Sequence, residues 1–201
     1  MKDNTEKLKR EIKIEIEKGL YILDKKLEKD AEKIKENLSK DISLILKDIK
    51  KQQEENKIGI IDSMIFVLSF TEIYNRNYVY PVFLYGKKTY IDEYETEFYL
   101  DVSLFYNCLE SIQERALNLS KKYTREEFSM SGIKREIFIN LQYFNMFIVK
   151  ELKKVFQDEN ILKLLKSLVT TDSFVIIQNE MYEKPYSIYK KKGNDLWNTI
   201  V

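Results

Sequence analysis

The stretch Leu20–Gln52 divides into three blocks of eleven: LYILDKKLEKD (20–30), AEKIKENLSKD (31–41) and ISLILKDIKKQ (42–52). Each block has an apolar residue at its first, fourth and eighth place: Leu20, Leu23 and Leu27, then Ala31, Ile34 and Leu38, then Ile42, Ile45 and Ile49. Steps of three and four keep these residues on one side of an α-helix, and Ile12 and Ile16 extend the register backward. Eleven residues in three turns is about 3.67 per turn, so the stripe drifts little and a supercoil built on it winds weakly to the right. Lys, Glu and Asp fill the intervening positions, as on a solvated helix face.

One helix from about Thr5 to about Glu54 would extend about 75 Å, at about 1.5 Å per residue. A remaining body of about 145 residues is too small to cover that length. The nine residues Leu20 to Ile49 are therefore expected to form an arm interface, through self-association or docking on a helical partner. Folding back onto the chain's own head is the competing expectation. A lipid surface fits less well, since residues 1–57 contain no Trp or Phe and their charges nearly balance, 16 basic against 14 acidic.

Composition changes after Lys57, from one Tyr in the first 57 residues to a region rich in Tyr and Phe. This places a helical, coiled-coil-like arm at 1–57 and an α+β head at 58–201. Within the head, Ile60–Tyr74 is apolar nearly all round and reads as a buried helix. YVYPVFLY (78–85) reads as a strand and Thr89–Ile91 as its return, with Pro81 marking an edge strand because proline donates no amide hydrogen. Asp92 with Glu95 reads as a capping box for a helix reaching Tyr123. Thr124 with Glu127, or Ser131, opens a second long helix through Ile137, Leu141, Phe144, Ile148, Leu152 and Val155. A short helix follows Asn160, and SFVIIQ with YSIYK reads as a second β-hairpin. The expected fold is mainly α (α+β): a long N-terminal amphipathic helix with 11-residue repeats, then a helix-dominated head with two hairpins. Five Gly and two Pro in 201 residues argue against a many-stranded all-β fold.

The composition also excludes chemistry. No His is present, so Ser-His-Asp and Cys-His catalysis and His-ligated metals are ruled out within the chain. The lone Cys108 cannot form an intrachain disulfide or a multi-Cys metal cage. The longest apolar run, 58–70, is interrupted by Asp62 and is shorter than the roughly 20 residues of a membrane span. With no leader-like apolar run near Met1, the chain reads as cytoplasmic.

Three weaker candidates remain. Glu93, Glu97 and Asp101 share a face if their segment is helical, and such carboxylates can hold Mg²⁺ or Ca²⁺. A solvated helix start explains them more simply. Tyr74, Tyr78, Tyr80, Tyr85, Tyr90 and Tyr94 can line a flat-ligand site, although core packing is the commoner role. Lys87 and Lys88, and Lys190–Lys192 beside Trp197, are short basic clusters without the broad excess of a nucleic-acid binder.

The sequence as a whole therefore reads as a non-enzymatic interaction or regulatory protein, needing no cofactor, with a homo-oligomeric or helical protein partner. The alternatives are a small-molecule-sensing domain, a divalent-cation carboxylate enzyme and a nucleic-acid adaptor.

Overall fold

The computed structural model describes residues 2–86, 96–121, 130–180 and 185–191. Its elements in chain order are α1 (Lys2–Lys29), α2 (Ala31–Glu54), β1 (Ile61–Leu68), α3 (Phe70–Tyr74), β2 (Val79–Tyr85) and β3 (Thr96–Asp101). Then come α4 (Ser103–Tyr106), α5 (Leu109–Ser120), α6 (Met130–Ile139), α7 (Leu141–Val155), α8 (Glu159–Lys166), β4 (Thr170–Glu180) and β5 (Tyr186–Lys190). The α+β class agrees with the sequence. Contacts group the chain into two units, Met1–Ala31 with Ser103–Ile148 and Glu32–Val102 with Val149–Val201, neither of which starts at the compositional change near Lys57.

The expected single N-terminal helix is two helices separated by Asp30. The amide of Asp30 still donates to Lys26 O at 2.9 Å, so the turn closes before the helix restarts at Ala31. α2 ends in a hydrogen-bonded cap. Lys57 N donates to Gln52 O at 2.8 Å and Asn56 N to Gln53 O at 3.1 Å, with Asn56 at φ 54. That is a Schellman arrangement, with asparagine taking the left-handed position that glycine usually fills. Just inside it, the Gln53 amide ties the helix end to the sheet. Its Nε2 donates to Gly59 O (2.9 Å) and Val169 O (2.8 Å), and its Oε1 accepts from Val169 N (2.9 Å).

The helical unit is built on α1, whose inner face packs on α5 and α6. Leu8, Ile12, Ile16, Gly19, Leu23 and Leu27 are buried along this face. Glycine permits the close approach: a Cβ on Gly19 would sit 2.5 Å from Ile112 Cδ1 and 3.9 Å from Phe144 Cζ. Phe144 in turn stacks on Tyr106 at 6.0 Å between ring centroids. Beside this seam, Glu15 is 9% exposed and holds Arg115 Nε at 2.7 Å.

The other unit contains a five-stranded mixed sheet of order β3-β2-β1-β4-β5. β1 is its centre, antiparallel to β2 and parallel to β4. The expected helix over Ile60–Tyr74 is corrected here: the segment forms strand β1 and the one-turn α3. An apolar run with side chains buried on both faces suits a central strand as well as a buried helix, and Ile61, Ile65 and Val67 are β-branched. Phe66 is fully buried and meets Phe156 edge-on at 6.2 Å.

β2 is an interior strand, so Pro81 does not mark an edge. The ladder from β1 stops at Val82, one residue short of Pro81, while Pro81 pairs with Tyr99 of β3 on the other side. The expected return strand Thr89–Ile91 lies outside the described residues, and the strand that pairs with β2 is β3. The expected helix from Asp92 to Tyr123 is likewise corrected over its described residues, which form β3, α4 and α5, with side chains along TEFYLD alternating between more covered and exposed in the period-two manner of a strand. The second long helix is interrupted at Asn140 into α6 and α7, and its Thr124 start lies outside the described residues. Asp158 caps α8, accepting from Asn160 N at 3.0 Å. That bond, followed by Lys35 alongside, holds its carboxyl below the usual range. β4 and β5 pair antiparallel, as the tail suggests, yet β4 joins the rest of the sheet through a parallel ladder with β1.

Several polar residues are buried, among them Ser63, Asn145, Glu151 and Gln178. Gln178 on β4 is fully buried opposite Phe66, and among the described residues neither its Oε1 nor its Nε2 has a hydrogen-bond partner. Burying an unpaired amide costs about 1–3 kcal/mol. Gln178→Leu is therefore expected to raise stability by about 1–2 kcal/mol, seen as a higher urea midpoint with an unchanged slope. A lower midpoint would show that the amide has a partner.

Candidate functional site

The expected arm interface is covered by the chain itself. Leu23, Leu27, Ile34, Leu38, Ile42, Ile45 and Ile49 are all 7% exposed or less, while Leu20 and Ala31 are half-buried. This corrects the expectation that the stripe needs an outside partner. The length argument fails because the helix is interrupted at Asp30 and its two parts belong to different units of the chain. In α1 the stripe passes through Gly19, with Leu20 to one side.

The opposite face of α1 is a different surface. Tyr21, nine residues beyond Ile12, is rotated from it by about 180° at about 100° per residue. Tyr21 is 65% exposed, Ile22 57% and Ile14 42%. With Glu17 and Lys18 they line an open groove of about 450 Å³. Large apolar side chains clustered on one exposed helix face are the usual mark of a contact surface.

Charged residues frame the groove in ordered pairs. Lys18 Nζ donates to Glu15 Oε1 at 2.6 Å, and Glu15 also accepts from Arg115, so one carboxylate carries both cations. Lys25 lies 5.8 Å from the Tyr21 ring centroid and donates to Glu28 at 2.7 Å. The bond to Glu28 raises the Lys25 ammonium above its ordinary range and keeps it charged. The groove thus offers an aromatic ring, two isoleucines and charges of both signs, a set suited to gripping another helix.

The other sequence candidates are dispersed. Glu97 and Asp101 lie on strand β3, where four residues span about 13 Å, too far to share a cation. Tyr99 between them donates its hydroxyl to Glu97 Oε1 at 3.0 Å. Asp101 approaches Asp41 of α2, whose carboxyl is raised above its usual range by burial first and by Asp101 second. Glu93 lies outside the described residues. Among the described residues, no group of three or more His, Cys, Asp or Glu side chains is placed to hold a metal ion.

The aromatics do not form one platform. Tyr80 is fully buried, Tyr78 and Tyr85 are half-buried, and strand alternation sends Tyr80 and Tyr85 to opposite faces of β2. Tyr74 ends α3, and Tyr90 and Tyr94 lie outside the described residues, as do Lys87, Lys88, Lys192 and Trp197.

One polar cluster was invisible in the sequence because its members are about 110 residues apart. Asp62 Oδ1 accepts from Thr171 Oγ1 at 2.5 Å and from Ser173 Oγ at 2.7 Å. Lys191 Nζ donates to Thr170 Oγ1 and to Thr171 O, both at 3.2 Å. The hydroxyls are engaged on the carboxylate and the ammonium on β4 itself, which ties the starts of β1 and β4 to the end of β5. This is a latch across three strands. Cys108 is no better as a nucleophile, since burial, the largest influence on it, pushes its thiol up.

No helix of the described residues is long and apolar enough to cross a membrane. Compared with protein-family models, curated proteins and solved structures, the chain matches none.

Proposed function

We propose that the chain is a non-enzymatic interaction or regulatory protein that docks a helical protein partner on the outward face of α1. The observation that carries this is the exposure of Ile14 and Tyr21 directly across the helix from its buried stripe, with exposed Ile22 on the flank beside them. A helix with one core face is already stabilised, so a second apolar face adds nothing to folding until something covers it. The absence of His and the dispersal of the carboxylates favour a binding role over catalysis.

A photo-crosslinking residue at Ile22 tests the proposal in cells. An adduct with a protein is expected from position 22 and none from Lys47, an exposed position on α2. Equal absence of adducts at both positions would count against a docking role for this face.

A further inference from the structure

Resting on the docking role proposed for this face, we infer that its occupant is the same face of a second copy, running antiparallel. Residues seven apart lie along one line of the helix, drifting by about 20° per step. On the outward side of α1 that line reads Lys7, Ile14, Tyr21, Glu28, with all four exposed. Its order is self-complementary when reversed. An antiparallel pair centred between Glu17 and Lys18 sets Ile14 against Tyr21 of the second copy and Lys7 against its Glu28. The same register sets Glu17 against Lys18 at the centre and Glu6 against Lys29 at the ends.

Two-fold symmetry makes every one of these pairs occur twice. Three pairings in this register are like-charged, Arg10 with Lys25, Glu11 with Asp24 and Lys9 with Lys26. Glu28 already holds Lys25 at 2.7 Å, and the other two pairs lie toward the flanks, away from the line through Ile14 and Tyr21. A parallel in-register pair does the reverse, placing Lys7 on Lys7 and Glu28 on Glu28 along the seam, so the charge order selects orientation as well as partner. Lys18 sits at the pseudo-centre with its ammonium on Glu15. It needs only to be shared with Glu17 of the second copy.

The interface is one helix face, smaller than the roughly 1,200 Å² at which standard complexes begin, so dissociation is expected on the order of tens of micromolar. Sedimentation equilibrium of the full chain up to about 500 µM reads it directly. The wild type is expected to form a dimer. Glu17→Lys and Lys18→Glu, both at exposed positions, place like charges at the centre and are each expected to weaken dimerisation by about tenfold. Their 1:1 mixture restores opposite charges at both central contacts and is expected to associate within about threefold of wild type. A wild-type monomer throughout the range, or single variants that dimerise as well as wild type, would overturn the inference. The crosslink from Ile22 separates it from the broader proposal. An adduct of twice the chain's mass supports a second copy. An adduct only with a different protein overturns self-pairing while leaving docking intact, and no adduct sinks both.

Discussion

The Leu38→Asp variant is expected to lose about 4 kcal/mol or more of unfolding free energy, read from urea denaturation followed by circular dichroism. Leu38 is 5% exposed on the inner face of α2. The substitution removes a buried side chain worth about 2–5 kcal/mol on truncation and adds a carboxylate with no cation provided for it. Folded domains of this size hold roughly 5–15 kcal/mol in total, so the variant is expected to be largely unfolded at 37 °C. Were the stripe an intermolecular seam, the same substitution would yield a folded monomer instead. A variant of undiminished stability and reduced mass would restore the arm as an association element.

Gly19→Leu is expected to cost about 2–3 kcal/mol, measured the same way. Glycine inside a helix is ordinarily a weakness, and replacing it gains about 1 kcal/mol of helix propensity. Here the first added carbon already meets Ile112 Cδ1 at 2.5 Å, and the remaining carbons of leucine have to displace Ile112 or Phe144. Gly19→Ala separates the two effects. Its single carbon presses only on the flexible end of Ile112, so the propensity gain and the clash nearly cancel, and stability within about 1 kcal/mol of wild type is expected. A stabilised leucine variant would mean that α1 does not pack on α5 at this point.

These two positions mark what the sequence revealed and what it concealed. The three-four spacing located the helices and the inner face from Leu23 to Ile49 because the period of hydrophobic burial is set by helix geometry alone. It misassigned Gly19 because a residue without a side chain carries no hydropathy, and Leu20 next to it took its place in the count. The strand β1 was read as a helix because a segment buried on both sides loses the alternation that distinguishes the two. β3 was hidden because Asp92 and Glu95, which lie outside the described residues, read in the sequence as a helix cap ahead of it. Of the candidate surface, Tyr21 and Ile22 were in view from the start, yet their meaning depended on knowing that the opposite face was already covered, and coverage is a tertiary property. The Asp62, Thr171 and Ser173 latch had no local signature at all.

The central claim is that one copy of the chain covers its own leucine and isoleucine stripe and leaves the outer side of α1 open to a partner. Hydrogen exchange of the α2 amides at about 1 µM, where dimers of the expected strength are dissociated, tests it most directly. The account predicts that amides from Ile34 to Ile49 exchange slowly in the dilute monomer, at a rate that higher concentration leaves unchanged. Exchange as fast as that of an isolated helix, slowed only when chains associate, would contradict it.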